Sequence, residues 1–135
     1  MSKAIYDAGS TVLLKADGSA AITATASTVV DLDISLGGTF AVAINVESFD
    51  ATTGDEVYTF SVAGQDSAGS NDVTLVTMGA IAETGEHLIL IDADTAVKLA
   101  GASVKKLKLT ATLSGTTPIL TYSAWVNPVF GAGRP

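Results

Sequence analysis

Thr39–Gln65, "TFAVAINVESFDATTGDEVYTFSVAGQ", is the stretch that decides the fold. Phe40, Val42, Ile44 and Val46 alternate with Ala41, Ala43, Asn45 and Glu47, the period of a strand whose successive side chains point to opposite faces. After "DATTGD", rich in turn-forming residues, the alternation resumes with Tyr58, Phe60 and Val62 set against Val57, Thr59, Ser61 and Ala63. Two half-buried strands flanking a turn predict an antiparallel hairpin over Thr39–Gln65.

The same pattern extends outward. In Val104–Pro128, Leu107, Leu109, Ala111 and Leu113 share one face and Lys106, Lys108, Thr110 and Thr112 the other. Beyond the break "SGTTP", Leu120, Tyr122, Ala124 and Val126 alternate with Thr121, Ser123 and Trp125, so a second hairpin is predicted there. "SAAITATAS", "TVVDLDIS", "DVTLVTMG" and "EHLILIDA" are further short apolar runs bounded by Gly, Ser, Asp or Asn. That makes about eight or nine strands at roughly 8 to 12 residue spacing, the pattern of an all-β antiparallel sandwich or barrel. Only "DTAVKLAGASV" reads as a helical turn or irregular crossover. The 135 residues show no repeat or shift in composition, so residues 1–135 are expected to form one domain. The ends "MSKAIYDAGS" and "NPVFGAGRP" suit strands poorly and are expected to be short arms.

Composition excludes several classes of function. Hydrophobic residues make up 47% and charged residues 16%, the latter below the roughly 25% of ordinary soluble domains. Fourteen acids against seven Lys and Arg give a net charge of −7, which argues against nucleic acid as a partner because phosphate contacts need clustered cations. No uncharged run approaches the roughly 20 apolar residues of a membrane helix, and no apolar signal core follows Lys3. With no cysteine, disulfides and thiolate metal sites are excluded, and assembly in a reducing cytoplasm is compatible with the sequence. Stability must come from burial and association.

Few residue groups suggest chemistry. His87 is the single histidine; no nucleophile elbow or cysteine accompanies it, so no enzyme is predicted. Asp31 with Asp33, and Asp92 with Asp94, are i, i+2 pairs expected on single strand faces, but neither extends into a calcium-loop pattern. "FDATTGDE" and "GQDSAGSND" read as Asp-built turns. "SLGG" and "GAGRP" lack the spacing of a phosphate loop. No cofactor, metal or small-molecule substrate is expected. The only basic cluster, Lys105, Lys106 and Lys108, lacks interleaved aromatics; it is read as protecting an edge strand or pairing with acids of a neighbouring subunit. Trp125, the one tryptophan, lies opposite the aliphatic face of its strand and serves either as filling between sheets or as an interface anchor. Ala41, Ala43, Ser61 and Ala63 leave room for close packing of a second sheet or another subunit.

"IYDAGS", "AITATASTVVDLDI", "FAVAINVESF", "FSVAGQDSAGSNDVTLVTMGAIA" and "KKLKLTATLSGTTPILTYSAWVNP" together resemble the small capsid cement, or decoration, proteins of tailed bacteriophages, over Ile5 to Pro128. The resemblance lies in the order and texture of the segments. It implies a jelly-roll-like β-sandwich that forms a homotrimer on the outside of an assembled head and clamps neighbouring major capsid proteins, with no catalytic residues. The expected location is the virion capsid surface, after assembly in the host cytoplasm. The expected contacts are Ile5, Tyr6, Val129 and Phe130 on the arms, Lys105, Lys106 and Lys108 as charge complements, and Trp125. The alternative is a virion-surface module that binds glycans or a host.

Overall fold

A computed structural model describes residues 12–32, 38–101 and 103–129. The strands are β1 Val12–Lys15, β2 Ala26–Asp31, β3 Thr39–Phe49, β4 Val57–Gln65, β5 Val73–Thr77, β6 Gly85–Asp92, β7 Lys106–Ser114 and β8 Leu120–Val129. One helix, α1 Ala93–Ala100, lies between β6 and β7. Two four-stranded antiparallel sheets result, ordered β1-β8-β3-β6 and β2-β7-β4-β5. Pairing 1 with 8, 2 with 7, 3 with 6 and 4 with 5 is the winding of a jelly roll, so the all-β, jelly-roll-like sandwich stands.

Apolar residues of the two inner faces interdigitate, since a sandwich buries one face of each sheet. Phe40, Val42, Ile44 and Val46 of β3, and Leu120, Tyr122, Ala124 and Val126 of β8, meet Tyr58, Phe60 and Val62 of β4 and Leu107, Leu109 and Ala111 of β7. The Phe60 and Tyr122 rings meet edge-on at 5.0 Å. Burial pushes the Tyr122 hydroxyl up to about 12, because its ionised form has no water around it. α1 covers one side of the sandwich with buried Ala93 and Ala96.

Both expected hairpins are corrected. β3 pairs with β6 and β8, and β4 with β5 and β7, so Asp50–Glu56 crosses from one sheet to the other. Ser114–Leu120 makes the same crossing between β7 and β8. Alternation states that one face of a strand is buried; it is satisfied equally by a neighbour alongside and by one across the core. The crossings are fastened to each other. Tyr58, 1% exposed, donates its hydroxyl proton to the Asp50 carbonyl and accepts the Ile119 amide at 3.1 Å. The Asp55 carboxylate accepts the Thr116 amide at 3.1 Å and its hydroxyl at 2.6 Å. Gly115, at φ 108°, fits where a Cβ would come 2.6 Å from Glu56 Cα.

The end "NPVFGAGRP" is partly strand, because Asn127, Pro128 and Val129 extend β8 opposite Ala41, Phe40 and Thr39.

Candidate functional site

The outer faces of the two sheets differ in chemistry. In the β2-β7-β4-β5 sheet, Ser27, Thr110, Ser61 and Thr77 stand in one row across all four strands, with Ser27 Oγ 2.9 Å from Thr110 Oγ1. Thr112 and Thr59 face each other in the same sheet. Lys106 pairs with Asp31 of β2, and Lys108 with Asp72 at 2.8 Å. Val29 and Val57 are exposed on this face as well, but they stand singly among hydroxyls and paired charges, as water requires of a sheet covered on one side only.

The β1-β8-β3-β6 sheet presents the opposite character. Register aligns Leu13 with Trp125, Trp125 with Ala43, and Ala43 with Leu88, and directly opposed residues share a face. The row beside it carries Asn127, Ala41 and Leu90. Leu13, Leu88 and Leu90 are 58%, 59% and 63% exposed, and Trp125 is half-buried. Ala41 and Ala43 are buried beside these larger side chains and stand outside the core cluster. An aliphatic and aromatic strip therefore crosses a whole sheet, with its low point at Ala43 between Trp125 and Leu88. Glu86 and Asn45 follow it on one side. Near that end, Glu47 is raised above its ordinary value because it shares a hydrogen bond with Asp17, whose charge also opposes ionisation.

The residues singled out in the sequence do not converge. Ile5, Tyr6, Asp33 and Phe130 lie outside the described residues, and Val129 is the final residue of β8. β7 lies inside its sheet between β2 and β4, which overturns the edge-strand role of the lysines; Lys106 and Lys108 find their acids within the chain. The Lys105 backbone links the Gln65 carbonyl to the Leu32 amide. Trp125 faces outward, so of its two readings filling between the sheets is corrected. Asp92 and Asp94 do not share a strand face: Asp92 closes β6 and accepts the Thr95 hydroxyl at 3.1 Å, while Asp94 sits in α1 and pairs with Lys98 at 3.3 Å. His87 Nε2 lies 3.1 Å from the Glu83 carbonyl. Among the described residues no three His, Asp or Glu side chains gather as a metal site, and no helix is long and apolar enough to cross a membrane.

Sequence reasoning missed Leu13, Leu88 and Leu90. The signal lay in "EHLILID", where Leu88 and Leu90 alternate with Ile89 and Ile91 so that both faces of one strand are apolar. One of those faces enters the core with Ile89 and Ile91, and the other stays exposed with Leu88 and Leu90.

No family model and no curated protein matches the chain. The solved structures that the chain matches include the following two. The chain matches the CBM22-1–GH10 modules of Clostridium thermocellum endo-1,4-beta-D-xylanase 10B, complexed with xylohexaose, with 14% identity and a TM-score of 0.50 over 96% of this chain and 26% of that one. It also matches the infectious bursal disease virus Gx strain structure at 13% identity and a TM-score of 0.37, over 93% of this chain and 32% of that one. The chain thus spans about a quarter and about a third of these two structures. What the xylanase likeness establishes is the architecture, an all-β sandwich.

Proposed function

We propose that this chain is a structural protein that binds the outer surface of an assembled phage head and stabilises it by bridging major capsid proteins. The observation that carries the reading is the contrast between the two outer faces: hydroxyls and paired charges on one, and on the other an apolar row that crosses four strands. Continuous exposed apolar surface of this kind marks contact with other protein. A protein that binds only the assembled shell stabilises it by mass action, with no chemistry required. The resemblance to capsid cement proteins supplies the identity of the shell. The test compares heads prepared with and without the chain for heat resistance while bound stoichiometry is measured. Saturable binding with raised heat resistance is expected; binding without added resistance, or no binding, overturns the reading.

A virion-surface glycan or host-binding module is the second reading. It is favoured by Trp125, which stands outward in β8 with Asn127 on the same face, an aromatic plane beside an amide. It predicts saturable binding of an oligosaccharide to the isolated chain, and unchanged Trp125 fluorescence across a glycan series would dismiss it.

A further inference from the structure

We infer that Asp17–Gly18 is a site of spontaneous covalent rearrangement, in which the Asp17 carboxyl closes onto the Gly18 amide nitrogen and Glu47 supplies the proton that the step consumes. Closure gives a cyclic imide, and water reopens it to a β-aspartyl linkage. Asp17-Gly18 is the only Asp-Gly step in the sequence, and no Asn-Gly occurs. Every other aspartate precedes a residue that carries a Cβ, which shields the nitrogen to be used.

Asp17 and Gly18 form the turn that follows β1, and both are exposed. Ser19 fastens the turn from one side, giving its amide at 3.2 Å and its hydroxyl at 2.6 Å to the Ala16 carbonyl. Gly18 sits at φ 82° with no atom within 4 Å of the place where a Cβ would stand, so the space beside the new ring is open. Glycine also leaves the main chain free to bring its nitrogen toward Asp17 Cγ. Asp17 differs in its partner from the aspartates of the other loops. Asp50, Asp55, Asp66 and Asp72 are held as carboxylates by hydroxyls, amides and Lys108, and a carboxylate is a poor electrophile. Asp17 instead shares a hydrogen bond with Glu47, which stands at the bulge of β3 between Val46 and Ser48. Two carboxyls share a hydrogen bond only when a proton lies between them. That is why Glu47 is raised above its ordinary value although the charge of Lys15 works the other way.

The step balances with water as its only co-reactant. The Gly18 nitrogen bonds to Asp17 Cγ and gives its proton to solvent. The Cγ hydroxyl leaves as water with the Glu47 proton, and Glu47 recovers a proton from solvent. Water then adds to one imide carbonyl. Breaking the Cγ–N bond restores aspartate, whereas breaking the bond from nitrogen to the main-chain carbonyl leaves the chain running through Cβ and Cγ. This second product lengthens the main chain by one carbon next to β1, a four-residue edge strand that already carries a bulge between Leu13 and Lys15.

The test follows the full chain in warm neutral buffer by mass spectrometry of its proteolytic fragments. The fragment that contains Asp17 is expected first to lose the mass of one water. It then returns to its starting mass as a separate chromatographic species whose fragmentation places a β-linkage at Asp17. Glu47→Gln keeps a hydrogen-bonding side chain but removes the acid. It should slow the conversion by about 10-fold, short of the roughly 100-fold that a positioned acid reaches in an enclosed site. Asp17→Asn releases ammonia in place of water and has no carboxylate to neutralise, so it should convert faster and keep its rate when Glu47→Gln is added. Circular dichroism establishes that the variants are folded. No conversion at Asp17, conversion equally fast at the aspartates of the other loops, or a rate indifferent to Glu47→Gln would each overturn the inference. So would a slowing of the Asp17→Asn chain by Glu47→Gln.

Discussion

Tyr58 is the side chain that ties the β3–β4 crossing to the β7–β8 crossing. Replacing it with Phe keeps the ring among Phe49 and the core but leaves the Asp50 carbonyl and the Ile119 amide without their partner. The expected cost is about 1 to 3 kcal/mol, read from urea denaturation with an unchanged slope. Gly115→Ala should be destabilising for a different reason: the added Cβ meets the Glu56 backbone at 2.6 Å, and φ 108° is strained for any other residue. Thr28 provides a case of opposite sign. Its Oγ1 is buried with no hydrogen-bond partner among the described residues, so Thr28→Val, which keeps the β-branched shape, should be neutral or raise stability by up to about 1 kcal/mol. A thermal melt that falls on Thr28→Val would show that the hydroxyl is satisfied after all.

At the scale of elements, the acidic loops act as fasteners. Asp50, Asp55, Asp66 and Asp72 are all held below the ordinary carboxylate value by the groups that donate to them: Thr52, Thr116, Ser70 with Asn71, and Lys108 with Gln65 respectively. A carboxylate whose folded value is depressed adds stability above its unfolded value, and that stability is lost as pH falls through the folded value. Melting temperature should therefore be flat near neutrality and fall below about pH 4, with Asp55→Asn reducing the slope. The turn role of these loops was legible because Asp next to Gly, Ser and Thr has a local explanation. Strand positions were legible too, from period-two alternation. Which strand lies beside which was not, because Phe40 through Val46 and Tyr58 through Val62 carry the same pattern whether they pair or oppose one another. The strand that continues through Asn127–Val129 was missed because Pro and Gly nearby outweighed the register with Thr39–Ala41.

For the whole molecule, six of the seven connections between successive strands pass to the other sheet, and only β4 and β5 pair directly with their sequence neighbour. Contacts are thus mostly distant in sequence, and folding is expected on the millisecond to second scale of all-β domains; a stopped-flow trace completed in microseconds would contradict the strand order. The candidate face is illegible in sequence for the same reason. Leu13, Ala43, Leu88 and Trp125 come from four separate segments, and only the register of four strands makes them a row. Trp125 could be read as outward-facing from its own strand; its neighbours could not. Arm deletions belong to this scale as well. Removing residues 129–135 would also take the Val129 pairing with Thr39, so truncation after Val129, combined with loss of residues 1–8, separates the arms from the sheet. Weaker head binding with an unchanged melt is expected, and unchanged binding would dismiss the arms as contacts.

The pairing of β1 with β8 has a mechanical consequence. The chain enters β1 at Val12, opposite Val126, and leaves β8 at Val129, so both ends depart from the same end of an antiparallel pair. Tension applied through the two ends acts across the hydrogen bonds of that pair and opens them one after another, a peeling geometry that yields at low force. Load applied broadly over the sheet faces meets all the bonds together. A molecule held by its faces would consequently withstand a swelling shell far better than one tethered by its ends.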